Sequence, residues 1–208
     1  MKTFIKNGTV FKEDGISDGI LVIEDGKIID TDYLGAIPEG SNVVRINMYD
    51  TMEIGEGDKA VKITFLNPPF YAKKAMVPNN HNPFSLSTVL EFGTSKLLLA
   101  ADTYDANEYA WLYECPELIS DVDVIKPGHH GITSSSRYDY FRKVNPKYVC
   151  ITNLREYGCH MNSTIYMLEN VNKMSSERIF STGKHGMIKA TLNGKKGEAT
   201  IVTEYVEK

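Results

Sequence analysis

The amino-acid sequence predicts a layered α/β domain preceded by β-hairpins. Three observations predict it. Short apolar runs rich in β-branched residues alternate with helical patterns through most of the chain. Asn-Gly and Asp-Gly pairs punctuate the N-terminal stretch, and these are the strongest short hairpin signals. The composition, 42% hydrophobic and 24% charged over 208 residues, is that of a globular chain able to bury a core.

In chain order, Phe4 to Phe11 and Gly19 to Ile29 read as hairpin strands around Asn7-Gly8 and Asp25-Gly26. A soft boundary follows at Ile37 to Asn42, which divides the chain into a hairpin segment, 1–42, and a main domain, 43–208. In the main domain, strands are expected at Ala60–Leu66, Leu86–Phe92, Lys96–Ala100, Val122–Lys126, Tyr148–Thr152, Glu177–Phe180, Met187–Leu192 and Ala199–Tyr205. Helices are expected at Ala106–Glu114, Ser135–Lys143 and Ser163–Met174. A proline-rich stretch from Asn67 to Pro78 is expected to form a loop leading into a candidate site.

The residues with chemistry gather where these strands end. Asp123-Val124-Ile125-Lys126-Pro127-Gly128-His129-His130-Gly131 runs an apolar strand into two histidines held between glycines. Imidazole is a common metal ligand and proton carrier, and the flanking glycines let the backbone bend sharply. Upstream, Lys96 to Ala101 is a buried-type strand ending in Asp102, a carboxylate that needs a partner if buried or serves as a helix cap. His81-Asn82-Pro83-Phe84-Ser85 precedes one strand, and Tyr157-Gly158-Cys159-His160 follows another. Ligands in α/β proteins collect at the carboxyl ends of strands. A His/Asp set without paired cysteines favours zinc, manganese or iron over a Cys-rich structural zinc.

This ordered set resembles the second half of a metallo-β-lactamase-fold hydrolase, in the variety attached to DNA-uptake competence proteins. The likeness rests on Asn79-Asn80 and Ser85, Leu98-Leu99-Ala100-Ala101-Asp102, Asp123 to Gly131, Ser134-Ser135-Ser136, Pro146-Lys147-Tyr148, Tyr157-Gly158-Cys159-His160 and Thr182-Gly183-Lys184-His185-Gly186. It covers roughly Val43 to Val206, and the His-His-Gly block in its ordered context is its most specific part. The resemblance implies an α/β, αββα-type layered fold, incomplete here, and a metal-dependent hydrolase of phosphodiesterase or nuclease type. It implies metal-ligand roles for Asp102, as a bridging carboxylate, and for His160, displaced by one because Cys159 is inserted. His81 matches a ligand of the wider superfamily. His129 and His130 match the catalytic pair that contacts substrate phosphate or metal. Zinc or manganese is the implied cofactor, and a small phosphodiester or a nucleic acid the implied substrate.

The first-half signature of that family, His-x-His-x-Asp-His, is absent. Three explanations stand open: a fragment of a longer protein, a dismantled and metal-free site, or completion by another chain. Two functional classes follow, a hydrolase or truncated form of one, and a non-catalytic remnant acting as a binding or interaction module. The uncovered inner face of a half-fold predicts a homodimer.

Net charge −4 argues against strong nonspecific nucleic-acid binding. Three cysteines without zinc-ribbon spacing suit a reducing, cytoplasmic compartment. The sequence shows no apolar run of membrane-spanning length. The remaining conspicuous residues are expected to be structural: Trp111 with Tyr109, Leu112 and Tyr113, and Tyr138 with Tyr140 and Phe141, as packing, Cys159 as a small buried residue, and His185 as solvated in a turn.

Overall fold

The computed structural model describes residues 2–6, 10–12, 15–17, 20–24, 27–33, 36–39, 42–45, 48–66, 82, 85–153 and 159–205. The expected Asn67–Pro78 loop and His81 lie outside them. The chain divides into two compact units, Met1–Asp50 and Thr51–Lys208.

The first unit is built from strands β1 (Lys2–Lys6), β2 (Val10–Lys12), β3 (Gly15–Ser17), β4 (Ile20–Glu24), β5 (Lys27–Tyr33) and β6 (Asn42–Arg45). Four of them form a sheet in the order β5-β4-β1-β6, and β2 pairs with β3. In the β1–β4 register Phe4 faces Val22, and both side chains are buried, so this pair anchors the sheet. Strand β6 pairs in parallel with β1, which carries this unit beyond the 42/43 division expected from the loop composition.

The second unit carries the candidate site. A seven-stranded sheet runs β13-β12-β11-β10-β9-β8-β7, from β7 (Thr51–Ile54), β8 (Val61–Leu66), β9 (Ser87–Phe92), β10 (Ser95–Leu99), β11 (Val124–Lys126), β12 (Tyr148–Ile151) and β13 (Ile179–Ser181). Strands β7 to β10 form an antiparallel meander, and β10 to β13 are parallel. Parallel neighbours need crossovers. These are helices α1 (Asp105–Glu114) and α2 (Pro116–Ile119) between β10 and β11, α3 (Tyr138–Val144) before β12, and α4 (Cys159–Asn170) before β13. A one-turn helix α5 (Thr182–His185) leads to the hairpin β14 (Ile188–Thr191) and β15 (Thr200–Thr203).

The central strands are covered on both faces, as their unbroken apolar runs demand. Val124 and Ile125 of β11 and Val149 and Ile151 of β12 are each at most 1% exposed. The C-terminal hairpin helps to cover one face, with Ile188 and Ile201 packed on the cluster of Val124, Cys150 and Ala199 that Leu97 also joins. Part of the sheet face expected to lie open for a second copy is thus closed within the chain.

Several expectations need correction. Trp111 is core, but Tyr109 and above all Tyr113, 88% exposed, are not. Tyr140 and Phe141 pack, whereas Tyr138 is exposed. His185 is buried rather than solvated, because Thr182 to His185 form a helical turn instead of a hairpin turn. Its Nδ1 accepts the Ser181 backbone N–H at 3.0 Å, and its ring lies against Phe180. The Ser-rich segment does not open the helix; α3 starts at Tyr138 because the preceding serines are bonded into the loop described next.

Candidate functional site at the ends of three parallel strands

Strands β10, β11 and β12 are parallel neighbours, so their carboxyl ends share one edge of the sheet. Asp102 follows the first, the segment Gly128–Gly131 follows the second, and Thr152 follows the third. Asp102 does not cap α1, whose N-cap position is Tyr104 with no side-chain cap. Instead Asp102 Oδ1 lies 3.3 Å from His130 Nε2 and 3.6 Å from Lys126 Nζ.

The loop after β11 is tightly wound. His129 (φ 42°) and His130 (φ 58°) both adopt the left-handed conformation, and Gly131 (φ 73°) follows in the same region. Two consecutive non-glycine residues there cost roughly 1–2 kcal/mol each, which the surroundings must offset. Several bonds do so. The His129 N–H donates to Ala101 O at 3.1 Å, Ser135 Oγ donates to Gly128 O at 2.7 Å, and Thr164 Oγ1 of α4 donates to Gly131 O at 2.6 Å.

Hydrogen-bond partners assign the protons on the two rings. His130 Nδ1 faces the Thr152 carbonyl at 2.8 Å. A carbonyl only accepts, so Nδ1 carries a proton, and Nε2 faces a second acceptor, the Asp102 carboxylate oxygen. His129 Nε2 faces the Asn82 amide nitrogen, a donor, at 3.1 Å, so here Nε2 accepts and Nδ1–H donates to Ser134 Oγ at 2.8 Å. The Tyr104 ring lies 4.9 Å from the His129 ring, centroid to centroid. Burial lowers the His129 pKa, and the neighbouring charges of His130 and Lys126 act in the same direction against Asp102. His129 is therefore a neutral ring with both nitrogens engaged, and His130 is the one with a nitrogen facing Asp102.

Lys126 is set into the same corner. Its ammonium donates to Ala101 O and balances Asp102. Burial lowers its pKa, and Asp102 pushes it back up.

A proton on Nε2 or a cation between Nε2 and Oδ1 satisfies this pair. A cation fits the donor chemistry: in a tetrahedral zinc site with bonds of about 2.0 Å, neighbouring donor atoms stand roughly 3.3 Å apart. The backbone of His160 lies in the first turn of α4; its side chain, like all of His81, is outside the described residues. Among the described residues no group of three or more His, Cys, Asp or Glu side chains is gathered for a metal ion.

Sequence reasoning gave no role to Lys126, Thr152, Asn82, Ser134 or Tyr104. Lys126 and Thr152 could have been found by the signal that found Asp102, a polar residue where an apolar strand ends. Asp123, the first residue of the His-His block, is structural: it is buried, and its carboxylate accepts the backbone N–H groups of Lys96, at 2.9 Å, and of Gly197. Cys115 and Cys150 are buried and not joined in a disulfide, and burial pushes the Cys150 thiol up to about 12, which makes it a poor nucleophile. No described helix is long and apolar enough to cross a membrane.

No family model matches the chain. No curated protein matches it either. Among solved structures, a mutant of CmlA beta-hydroxylase is similar, at 16% identity and a TM-score of 0.38, over 53% of this chain and 25% of that one. A likeness this distant transfers no residue role and no activity.

Proposed function

We propose that this chain is a metal-dependent hydrolase of the phosphodiesterase type that holds one divalent cation, zinc or manganese, at Asp102 and His130. The supporting observation is the His130–Asp102 pair, with Nε2 turned to the carboxylate because Nδ1 is held by the Thr152 carbonyl. A carbonyl that fixes a histidine tautomer is the usual outer support of a metal-bound imidazole. His160 and His81 are the proposed further ligands. A bound cation would polarise a phosphoryl oxygen and lower the pKa of a water. The chain's own groups do the rest. Asp102 and His130 bind, Thr152 orients His130, and the Lys126 ammonium attracts an anionic substrate to the strand ends. A small phosphodiester suits the site better than a long nucleic acid, given the net charge of −4.

The test is calorimetric titration with zinc and manganese, together with hydrolysis of bis(p-nitrophenyl) phosphate, on the wild type, Asp102→Asn and His130→Ala. One bound cation and metal-dependent hydrolysis, both lost in the variants, are expected. Cation binding that survives both substitutions defeats the proposal.

One observation favours a second reading, a non-catalytic binding module: Lys126 already supplies a positive charge to Asp102. In that case the wild type binds no cation. A homodimer, or completion by another chain, belongs to the same proposal through surfaces other than the one β14 and β15 cover, and light scattering at micromolar concentration tests it.

A further inference from the structure

Glu108, in the first turn of α1, is 1% exposed, an unusual place for a carboxyl group. Its Oε2 accepts the backbone N–H of Ser136 at 2.6 Å. Its Oε1 has no hydrogen-bond partner among the described residues. Among the described residues no cation offsets it: Arg137, on the facing segment, pairs with Asp105 at 3.8 Å instead. The other titratable groups that act with it are Asp105 on its own helix, Tyr140 on α3 and, acting on Tyr140, Cys115 at the end of α1.

Glu108 also lies beneath the start of the histidine loop. A Cβ placed on Gly128 would meet Glu108 Oε1 at 3.1 Å and Thr103 O at 2.7 Å. Ser134 O accepts the Asp105 N–H at 2.9 Å, so the first turn of α1 grips the far end of the same loop. Gly128 and Ser136 bracket His129 and His130, and a single buried carboxyl group bonds the Ser136 amide and fills the space where a Gly128 side chain would stand.

We propose that Glu108 is a positioning residue for His130: by seating Gly128 and holding the Ser136 amide, it fixes the strained loop that sets the His130 ring against Asp102. The proposal rests on the hydrolase reading only for naming His130 as the group that matters. Burial raises the Glu108 acid to about 8, with the Asp105 charge acting in the same direction and the backbone N–H groups opposing. At neutral pH it is thus a protonated acid that fits its site without a counter-ion. Ionisation puts an anion with one unpartnered oxygen under the loop, and the loop has to yield to solvate it.

The test uses the full-length, nitrogen-15-labelled chain, freed of metal with a chelator. Backbone amide and imidazole spectra are recorded from pH 6.5 to 9.5 for the wild type, Glu108→Gln and Glu108→Ala. In the wild type the Ser136 amide and the His130 ring nitrogens shift together with a midpoint near pH 8. Glu108→Gln, neutral and isosteric, lacks that midpoint and keeps the low-pH positions. Glu108→Ala displaces the His130 ring signals throughout; if it does not fold, the Gln variant decides alone. A midpoint retained in Glu108→Gln, or a His130 ring that ignores the Ser136 transition, overturns the proposal. A chain that binds no zinc yet shows the shared midpoint loses the hydrolase reading and keeps this one.

Discussion

His130 presents Nε2 to Oδ1 of Asp102 at 3.3 Å, across the ends of two neighbouring parallel strands. Because the opposite ring nitrogen is held by the Thr152 carbonyl, the geometry is not that of two side chains meeting by chance on a surface. It is set by three strands at once. The Lys126 ammonium shares the same carboxylate oxygen, and this makes the balance of charge in the corner testable.

Lys126→Met keeps the apolar stem and removes the ammonium. A divalent cation at Asp102 and His130 would then lose a repelling neighbour and gain a less occupied carboxylate. Its affinity is expected to rise roughly tenfold, on the order of 1 kcal/mol for a partly exposed charge pair at this range. Calorimetric titration with zinc or manganese measures it. Equal or weaker binding in the variant would show that Lys126 does not compete with a cation.

Much of this corner was legible in the sequence, and for a physical reason. Runs such as Lys96–Ala100 and Tyr148–Thr152 are too apolar to lie anywhere but inside a covered sheet, and the observed strands Ser95–Leu99 and Tyr148–Ile151 differ by a residue at their ends. Polar residues just beyond such strands are drawn to the shared edge, which is why Asp102 and the histidine pair stood out. Which histidine turns to Asp102 was not legible, because it depends on left-handed backbone at His129 and His130 imposed by bonds from Ala101, Ser135 and Thr164. Strand Thr51–Ile54 was missed because it is short and mostly exposed, with only Met52 and Ile54 as apolar residues. Glu108 was missed because a carboxylate on a helix reads as a solvated face; only the tertiary contact with Ser136 makes it an interior group.

Gly128→Ala tests the close seat of the loop. The new Cβ meets the Thr103 carbonyl at 2.7 Å, and backbone cannot move aside as a flexible side chain can. A loss of about 2 kcal/mol or more is expected, in the range of overpacked cores. Urea denaturation measures it. A variant within about 0.5 kcal/mol of the wild type would mean that the loop gives way freely.

Asp123→Ala separates structure from chemistry within the His-His block. The substitution leaves the Lys96 and Gly197 amides without their acceptor and unties the segment between β14 and β15 from the sheet. Stability is expected to fall by about 3 kcal/mol, two bonds to a charged acceptor, with faster amide exchange at Gly197. Cation binding per folded molecule should be unchanged. Binding lost in a variant that still folds would give Asp123 a part in the site that its contacts do not suggest.

Glu108→Gln should change how stability depends on pH. In the folded chain the acid holds its proton up to about pH 8, against an ordinary value of 4.5. Between those limits the folded state keeps a proton that the unfolded state has released. Raising the pH therefore favours unfolding, and the contribution of this proton is complete below the ordinary value and is lost progressively as pH rises to the folded value. The slope is at most about 1.4 kcal/mol per pH unit, the limit set by a single proton. Other groups titrate in the same range, so the informative quantity is the difference between two urea-denaturation series, wild type and Glu108→Gln, from pH 5 to 9. The wild type should lose stability relative to the variant as pH rises, and the gap should stop widening above pH 8, where both folded and unfolded wild-type chains carry the anion. Parallel series would show that Glu108 is ionised in the folded chain throughout, and that its buried site stabilises the charge by contacts beyond the Ser136 amide.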